Sequence, residues 1–458
     1  MVEGRTHRPL IQTSRCQSCD VCIRGCPAEF VPEYRKEEES LRGALYQGKW
    51  REVAPKGSVP LPPCQEACPI HQDARGYVAL IAKGKFKEAL ELIRQANPLP
   101  AVCGFICHHP CEEACLREEV DRPVPIRLLK RFISEHDRKR ERPGRGLRKR
   151  REKILVVGSG PAGLACANDL SLLGFKVTLF ESLPVLGGML TVGIPEFRLP
   201  REVIQMEIDG IRKLGVEMKT NHPFRFDGNG RTLKRSGFDA IFLSMGAHRS
   251  LKLNIPGELL SGVFPGVEFL REINLGRKVE LGKKVVIIGG GNVAIDVARS
   301  TLRLGSKKVD LYYRRSRKEM PAIPEEVEEA IREGVNIHLL TAPVRMIGKA
   351  GKVVGMECIR MRLGEPDEKG RRKPVPIQGS NFKVNADTII SAVGQGMDQR
   401  ALKGLERNSD GTIRVDDTGQ TSMKGVFAGG DMVTGPGWAI DAIAAGKRGA
   451  EAIRRYLS

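Results

Sequence analysis

The sequence predicts an α/β protein with two Rossmann-like dinucleotide-binding domains, preceded by an α-helical iron-sulfur domain. Two observations predict the α/β part: an apolar strand, a glycine loop and a helix follow one another from Lys153, and the same order recurs from Lys283. The third observation is that ten of the 12 cysteines lie before residue 116, in closely spaced groups. Clustered thiols in a cytosolic chain indicate bound metal rather than disulfides.

The composition fits a protein that works without a membrane. With 458 residues the chain has room for several domains, and 51 glycines suit an α/β protein with many strand-to-helix turns. No stretch reaches the roughly 18 consecutive apolar residues of a membrane span. The first 15 residues, MVEGRTHRPLIQTSR, lack the apolar core of a secretory signal. We therefore expect a cytoplasmic location.

Much of the formal net charge of +20 is local, because residues 138–153 contain ten Lys or Arg and two Glu. The stretch 138–152 includes Pro143 and two glycines, and it is interpreted first as a solvated linker between domains. A docking surface for an acidic partner and a nucleic-acid-binding segment are the alternatives. No aromatic residue interrupts the run, which disfavours single-strand binding by stacking, so no nucleic acid is expected.

The residues before this linker divide into two predicted parts. Residues 1–62 form an irregular head that carries cysteines and ends in a proline-rich stretch. Residues 63–137 form a helical domain. One helix of that domain is marked by apolar residues at helical spacing and is ended by Asn97-Pro98: Phe86, Ala89, Leu90 and Ile93.

The first glycine loop, Gly158-x-Gly160-x-x-Gly163, follows the apolar strand KILVV, and a second strand ends at Glu181. In such a loop the first glycine permits a tight turn, the second lets a pyrophosphate approach the backbone, and the third allows close helix packing. A carboxylate after the second strand accepts hydrogen bonds from a ribose diol. Strand, loop, helix, strand and acid in this order predict a dinucleotide site.

The second glycine loop is Gly289-x-Gly291-x-x-Ala294, and Tyr313 stands where the first site has its acid. Arginines follow at once, at positions 314, 315 and 317. Losing the acid removes repulsion against a 2′-phosphate, and guanidinium groups bind such a phosphate bidentately. The second site is therefore predicted to prefer NADP(H) over NAD(H).

The cysteines form two groups. The first follows the ferredoxin spacing C-x2-C-x2-C-x3-C-P and consists of Cys16, Cys19, Cys22 and Cys26. The second repeats the C-x3-C-P ending and consists of Cys64, Cys68, Cys103, Cys107, Cys111 and Cys115. Iron-sulfur clusters move single electrons and nicotinamides deliver hydride pairs, so a flavin is the expected converter. Cys166 and Cys358 are isolated and are interpreted as small core residues.

Several longer motifs resemble one known family: GSGPAG, GGML, GIPEFRLP, GGGNVAIDVARS, YRRSRKEMPA and VFAGGDMVTGP. Together they resemble the small subunit of NADPH-dependent glutamate synthase, from about residue 63 to the end. The same module occurs in the large subunit of NADH-dependent ferredoxin:NADP oxidoreductase, in related electron-bifurcating complexes and in the amino-terminal half of dihydropyrimidine dehydrogenase. The resemblance implies a discontinuous FAD domain, 153–281 and 386–458, interrupted by an NADP domain, 282–385.

The resemblance also implies which residues bind the two nucleotides. The expected FAD residues are Gly158, Gly160, Pro161, Ala162, Gly163, Glu181, Gly188, Met189, Leu190, Gly246, Gly430, Asp431, Trp438, Ala439 and Ile440. The expected NADP residues are Gly289, Gly291, Asn292, Val293, Ala294, Arg314, Arg315 and Arg317. Hydride passes directly from nicotinamide to flavin, so no catalytic side chain is expected.

The cysteine pattern departs from that family, whose members usually hold two [4Fe-4S] clusters. Here no C-x2-C precedes Cys64, and Lys130 stands near a late position where the family has an acidic or amide residue. Ten thiols suffice for about two clusters, with Cys103 left out because it matches a family cysteine that is not normally a ligand. The expected ligands are Cys16, Cys19, Cys22, Cys26, Cys64, Cys68, Cys107, Cys111 and Cys115. Zinc at a minority of cysteines, with His108 or His109, is the alternative.

These observations favour an oxidoreductase subunit that moves electrons between NADP(H), FAD and [4Fe-4S] clusters. Its expected partners are other electron-transfer subunits or ferredoxin, in a hetero-oligomer of the electron-bifurcating or transhydrogenase type. The small subunit of NADPH-dependent glutamate synthase is the alternative within the same class. An alternative of another class is a basic nucleic-acid-binding protein stapled by zinc.

Overall fold

The structure of the chain is a computed structural model that describes residues 61–136, 149–225, 237–367, 370–398 and 402–458. The predicted ligands Cys16 to Cys26 and residues 138–148 of the basic run lie outside these ranges. The chain divides into two compact units, Met1–Arg140 and Glu141–Ser458.

The described part of the first unit is helical. Its helices are α1 (Pro63–Glu66), α2 (Ala74–Ala82), α3 (Phe86–Ala96), α4 (Pro100–Ile106), α5 (Pro110–Glu113) and α6 (Ile126–His136). Helix α3 follows the predicted spacing, because it buries Ala89, Leu90 and Ile93 and its C-cap is Asn97. Tyr77 lies in the centre of this core, fully buried, and its hydroxyl donates to the carbonyl of Ile126 at 3.0 Å.

The second unit begins with a parallel sheet that surrounds the first glycine loop. Its strands are β1 (Lys153–Val157), β2 (Lys176–Phe180), β3 (Glu217–Lys219), β4 (Ala240–Leu243) and β16 (Val426–Ala428), in the order β16-β4-β1-β2-β3. Its helices are α7 (Pro161–Leu172), α8 (Met189–Val192), α9 (Arg201–Arg212), α13 (Asp431–Thr434) and α14 (Ala439–Tyr456). Strands β1 and β4 are buried along almost their whole length, as continuous apolar runs in a covered parallel sheet should be.

A second parallel sheet surrounds the second glycine loop. Its strands are β6 (Val263–Pro265), β7 (Lys284–Ile288), β8 (Lys308–Tyr312), β9 (Asn336–His338) and β14 (Thr388–Ser391), in the order β6-β14-β7-β8-β9. Its helices are α10 (Gly266–Asn274), α11 (Asn292–Arg303) and α12 (Pro324–Arg332). The mixed α/β fold with Rossmann-like parallel sheets confirms the predicted fold class.

The strands of the second sheet extend beyond the segment 282–385 that was expected to hold it. Strand β14 pairs with both β6 and β7, so residues on either side of that segment belong to the same sheet as the second glycine loop. Pairing between strands more than 120 residues apart produces this extension, and no local pattern in the sequence reports it.

An antiparallel sheet projects from the second parallel sheet. Its strands are β10 (Thr341–Lys349), β11 (Lys352–Pro366), β12 (Arg372–Pro376) and β13 (Phe382–Asn385). A short pair, β5 (Arg249–Ser250) with β15 (Gln395–Gly396), joins the two segments that connect the parallel sheets. Among the described helices, none has both the length and the apolar composition needed to cross a bilayer.

Helices α7 and α14 pack closely because glycine occupies the contact. A Cβ on Gly446 would lie 2.1 Å from the carbonyl oxygen of Ala162, in the first turn of α7. A Cβ on Gly449 would lie 2.2 Å from the ring of Phe242, on strand β4. The last long helix of the chain therefore supports the start of the helix that follows the first glycine loop.

Candidate functional site

The first glycine loop is a tight turn in which two of its three glycines have no room for a side chain. Gly158 has φ +101°, and a Cβ there would lie 2.4 Å from the carbonyl oxygen of Ser244. A Cβ on Gly163 would lie 1.9 Å from the carbonyl oxygen of Gly158. At Gly160, no heavy atom of the described residues lies within 4 Å of the Cβ position. The open side of the turn is therefore at Gly160, next to the start of α7, where a phosphate can approach the backbone.

The acid after the second strand, Glu181, is fixed by the loop itself. Its side chain is 5% exposed, and one carboxylate oxygen accepts hydrogen bonds from the Ser159 N–H at 3.0 Å and the Ser159 hydroxyl at 2.6 Å. The other oxygen accepts from the N–H of Leu183 at 2.9 Å. The Ser182 hydroxyl also donates to this second oxygen, at 3.2 Å. The carboxylate is thus oriented beside the loop by four donors, and a ribose diol would take the place of one of them.

The segment around Gly188 lies against the same loop. The N–H of Gly187 donates to the Ser159 hydroxyl at 3.0 Å. Gly188 has φ +55°, and a Cβ there would lie 2.8 Å from the Cα of Gly160. Helix α8 then starts at Met189, followed by the buried Leu190. The structure therefore brings Gly188 to the open side of the first loop.

The predicted residues near the end of the chain reach the loop from the other side. Gly430 has φ +75°, and a Cβ there would lie 3.0 Å from the Cβ of Ala162. Asp431 opens α13 and accepts a hydrogen bond from the N–H of Gly437 at 3.3 Å. Burial raises the pKa of Asp431 to about 6. A carboxyl group with this pKa is mostly ionised at neutral pH and still readily protonated.

Two further predicted positions lie at the ends of neighbouring elements. Trp438 has extended backbone and is the N-cap of α14, whose first residues are Ala439 and Ile440. Gly246 has φ +65° and follows Met245, whose N–H donates to the sulfur of Met432 in α13 at 3.4 Å. Position 246 is thereby held beside the start of α13.

The second glycine loop repeats the turn but is closed by an aromatic ring. Gly289 has φ +149°, and a Cβ there would lie 2.3 Å from the carbonyl oxygen of Ala392. A Cβ on Gly290 would lie 2.4 Å from the ring of Tyr313. The Tyr313 hydroxyl donates to the carbonyl of Glu319 at 2.7 Å, and the residue is 7% exposed. At Gly291 the nearest atom to a Cβ would be 3.8 Å away, so the open side of this loop is at the equivalent glycine.

The three predicted phosphate-binding arginines have different surroundings. Arg315 is 5% exposed; its guanidinium donates to the carbonyl of Arg372 at 2.8 Å and to Asp367 at 2.8 Å. Arg317 donates to Glu328 at 2.8 Å. Arg314 is exposed and has no ion-pair partner among the residues that the structure describes. A guanidinium that is both exposed and available is therefore found at Arg314.

A buried ion pair that the sequence motifs did not reveal connects the segment before α9 with helix α11. Arg198, in the GIPEFRLP segment, donates to both oxygens of Asp296 at 2.7 and 2.9 Å. Asp296 lies in α11, directly after the second glycine loop, and both side chains are less than 10% exposed. Next to this pair the ring of Phe197 contacts the guanidinium carbon of Arg303 at 3.9 Å. In the sequence, only the charged Asp296 among the apolar positions of α11 indicates this contact.

In the first unit the described cysteines lie in or beside one helical core. Cys68, Cys103, Cys107 and Cys111 are buried, and Cys64 and Cys115 are half-buried. Burial raises the pKa of the Cys103 and Cys111 thiols to about 12. Burial likewise raises the pKa of Tyr77, and the nearby Cys111, Cys68 and Cys64 raise it further. The tyrosine and these three cysteines therefore share one neighbourhood.

Two polar side chains of the first unit are buried and incompletely hydrogen-bonded. The amide of Gln72 is 2% exposed, and neither its nitrogen nor its oxygen has a hydrogen-bond partner within the described ranges. Asn97 is fully buried; its oxygen accepts from the Leu99 N–H at 2.9 Å and lies 3.9 Å from the Cys103 sulfur, while no described residue accepts from its nitrogen. The Asn97 nitrogen, a donor without a described partner beside the Cys103 thiol, fits a sulfur-rich group that accepts hydrogen bonds.

The cysteines of the described ranges do not by themselves form a closed metal site. No three Cys, His, Asp or Glu side chains there converge closely enough to hold an ion. Cys103, which the resemblance leaves out of the ligand set, is near the same buried Lys130 as Cys68, Cys107 and Cys111. Thiols are the donors that iron-sulfur clusters use, so the donor chemistry of this unit fits such clusters.

Comparison with protein families agrees with this division into units. Residues 152–446 match the family of pyridine nucleotide-disulphide oxidoreductases. Residues 59–142 match the family described as dihydropyrimidine dehydrogenase domain II, 4Fe-4S cluster.

Three curated relatives extend the comparison. The chain is 44% identical to the beta subunit of NADP(+)-dependent formate dehydrogenase from Moorella thermoacetica, covering 86% of this chain and 60% of that one. It is 41% identical to the beta subunit of an NADPH-Fe(3+) oxidoreductase from Geobacter sulfurreducens, covering 86% and 63%. It is 35% identical to the small chain of NADPH glutamate synthase from Escherichia coli, covering 86% and 89%. The chain thus spans about three fifths of the length of the first two relatives.

Solved structures agree on the fold of the second unit. Mycobacterium tuberculosis FprA in complex with NADPH has a TM-score of 0.58 at 20% identity, over 67% of this chain and 85% of that chain. Thioredoxin reductase from Lactococcus lactis has a TM-score of 0.51 at 20% identity, over 67% and 99%. With its two glycine loops on two parallel sheets, its cysteine-rich helical unit and its relatives among NADPH-linked subunits, the chain belongs to the pyridine nucleotide-disulphide oxidoreductase family and carries a 4Fe-4S cluster domain of the dihydropyrimidine dehydrogenase type.

Proposed function

We propose that the chain is an electron-transfer subunit that connects NADP(H), FAD and [4Fe-4S] clusters to a partner subunit in the cytoplasm. One observation carries the proposal: a single unit contains two glycine loops of the same geometry whose second strands end differently, in the acid Glu181 and in Tyr313 followed by Arg314. Two nucleotide sites of different preference, in a chain that also carries a thiol-rich unit, suit transfer between a nicotinamide and one-electron carriers.

In this proposal the first loop holds FAD. The open backbone at Gly160 and the N-terminus of α7 would face the pyrophosphate, and Glu181 would accept from the ribose diol. Gly188 lies against Gly160 and Gly430 lies against Ala162, which supports assigning both to the same nucleotide. When bound, flavin exchanges hydride pairs with nicotinamide and single electrons with clusters, and the protein supplies position and electrostatics.

The second loop holds NADP(H). Gly291 provides the open backbone, and the exposed Arg314 is the guanidinium available to a 2′-phosphate. Arg315 is engaged by Asp367 and by the carbonyl of Arg372, so we assign it to holding the strand end in place. Asn292 supports this loop through its side-chain oxygen, which accepts from the Ile323 N–H at 3.0 Å.

The proposed partners are other electron-transfer subunits. The three relatives described above are beta or small subunits, and the chain spans almost the whole length of the glutamate synthase small chain. That coverage favours glutamate synthase as the second candidate, while the higher identity to the formate dehydrogenase subunit favours a larger electron-transfer complex. Affinity purification from the source cells under anaerobic conditions distinguishes them by the subunits that copurify.

Cofactor analysis of the anaerobically purified chain tests the core of the proposal. We expect one FAD and about two [4Fe-4S] clusters per chain, measured as flavin, iron and acid-labile sulfide, and NADPH-dependent reduction of an artificial one-electron acceptor. Cys111→Ser should lower the iron and sulfide content. Cys358→Ser is the matched control, because Cys358 is a buried cysteine of the antiparallel sheet and should leave that content unchanged. Zinc in place of iron, without labile sulfide, would contradict the proposal.

A further inference from the structure

A lysine lies where the thiols of the first unit meet. Lys130 is 4% exposed and belongs to the buried face of α6, with Ile126, Ile133 and Ser134. Helices α4 and α6 touch closely, because a Cβ on Gly104 would lie 2.7 Å from the Cα of Arg131. Ile126 and Ile133, which flank Lys130 on this face, belong to the same buried cluster as Cys111, so Lys130 faces the core that holds the thiols.

The charge of Lys130 is not balanced by a carboxylate. Among the described residues, no Asp or Glu lies within the 4.0 Å ion-pairing distance of its ammonium. The nearby acid Glu112 is engaged elsewhere, since it accepts from the Arg127 N–H at 2.7 Å. The ionisable groups that act on Lys130 are instead four thiols from the elements around it, Cys103, Cys107, Cys68 and Cys111.

An ammonium buried in this way is strongly destabilising unless a negative charge accompanies it. Thiols supply that charge when they bind metal, because the metal-binding species is the thiolate. An iron-sulfur cluster with thiolate ligands carries a net negative charge, which grows by one unit when the cluster accepts an electron. Lys130 is therefore matched in charge to the loaded unit and mismatched to the empty one.

We propose that Lys130 is the fixed counter-charge of one iron-sulfur cluster in the first unit and that it raises the reduction potential of that cluster. The inference rests on the proposed function, since it requires that the clusters be present. The Lys130 ammonium has no lone pair with which to ligate iron. It acts on the cluster through its positive charge and its N–H groups, as a residue that tunes the reduction potential. The amide nitrogen of Asn97 is a second buried donor of this unit without a partner among the described residues.

Redox titration followed by electron paramagnetic resonance tests the proposal on the full chain purified anaerobically. In Lys130→Met the oxidised-to-reduced ratio of one cluster, at a fixed potential, should rise at least tenfold, which is about 59 mV for a one-electron couple. Lys130→Arg keeps the charge, so its reduction potential should differ from that of the wild type by less than about 59 mV. Lys87→Met removes an exposed lysine of α3 and is the matched control, with no expected change because solvent screens its charge.

Thermal unfolding separates a counter-charge from an ordinary core residue. After chelation of iron, Lys130→Met should unfold at a higher temperature than the wild type, because no charge is then buried. With clusters bound, the same variant should unfold at a lower temperature. A side chain that only packs would shift both forms in one direction, and that result overturns the proposal.

The remaining outcomes also decide the question. If the Lys130→Met variant loses the cluster, the reduction potential is measured in Lys130→Gln instead, because its side chain is neutral and still donates hydrogen bonds. Loss of the cluster from both neutral variants but not from Lys130→Arg supports the counter-charge, whereas loss from all three overturns it in favour of a steric role. An unchanged potential in a fully loaded neutral variant overturns it as well. Absence of iron and sulfide from the wild type would instead overturn the proposed function.

Discussion

The two glycine loops of the second unit share one turn and differ in how each is closed. In the first, Gly163 stands so close to Gly158 that no side chain fits, and the strand after it ends in a carboxylate. In the second, the equivalent position is Ala294, and the strand ends in an aromatic ring packed on Gly290. In the proposed function, the turn sets where a pyrophosphate binds, and the end of the second strand sets which nucleotide binds.

The largest expected effect comes from adding one methyl group to the first loop. Gly163→Ala places a Cβ 1.9 Å from the carbonyl oxygen of Gly158, so the turn must open, at a cost of about 1–3 kcal/mol in the free energy of unfolding. Flavin content, measured by absorbance after gel filtration, should fall more than tenfold. Ala294→Gly is the matched control at the second loop and should keep its flavin. Full flavin content in Gly163→Ala would show that the two turns are interchangeable.

The next largest effect separates two adjacent arginines. Arg314→Gln removes a charge-assisted phosphate contact worth roughly 1.5–3 kcal/mol, so kcat/KM for NADPH should fall at least about tenfold and kcat/KM for NADH should hardly change.

Arg315→Gln is the control at the neighbouring position. It removes the contacts to Asp367 and Arg372, so it should lower the thermal unfolding midpoint and affect both nucleotides by a similar small factor. Equal losses of NADPH and NADH efficiency in Arg314→Gln would mean that Arg314 supports the fold and does not recognise the phosphate.

The smallest effect is expected at the acid of the first site. Glu181→Gln keeps an oxygen that accepts from Ser159 but loses the charge, so FAD affinity should fall about fivefold, a change of about 1 kcal/mol. Quenching of flavin fluorescence on titration of the apoprotein measures this. Tyr313→Phe, which removes a hydroxyl at the matched position of the second site, should leave FAD affinity unchanged. An affinity for FAD that is insensitive to Glu181→Gln would place the ribose contact elsewhere.

Local sequence predicted the parts of this molecule that are built locally. Strand, glycine loop and helix are contiguous, so both loops, the first-turn residues of α7 and α11, and the helix ended by Asn97 could be located without a structure. The family and its cofactor classes followed from the same contiguous motifs, and the family comparisons confirm them.

Contacts between distant segments could not be predicted in this way. The engagement of Arg315 by Asp367 depends on a hairpin about 50 residues further along the chain, and Arg198 meets Asp296 across 98 residues. Strands β6 and β14 have three and four residues, too short to carry a pattern, and only their pairing shows that they belong to the second sheet. The same holds for Lys130, whose surroundings come from the turn after α1, from α4 with its C-cap, and from α5.

The close packing of α14 on α7 has a consequence for how the chain is made. Residues 158–163 leave the ribosome early in the second unit, but Gly446 and strand β16, which complete their support, are synthesised some 270 to 290 residues later. At roughly 5–20 residues per second, that interval lasts about 15 seconds to a minute. The first nucleotide site therefore cannot mature during translation of its own loop, and flavin insertion becomes a late event that waits for β16 and α14 to be synthesised.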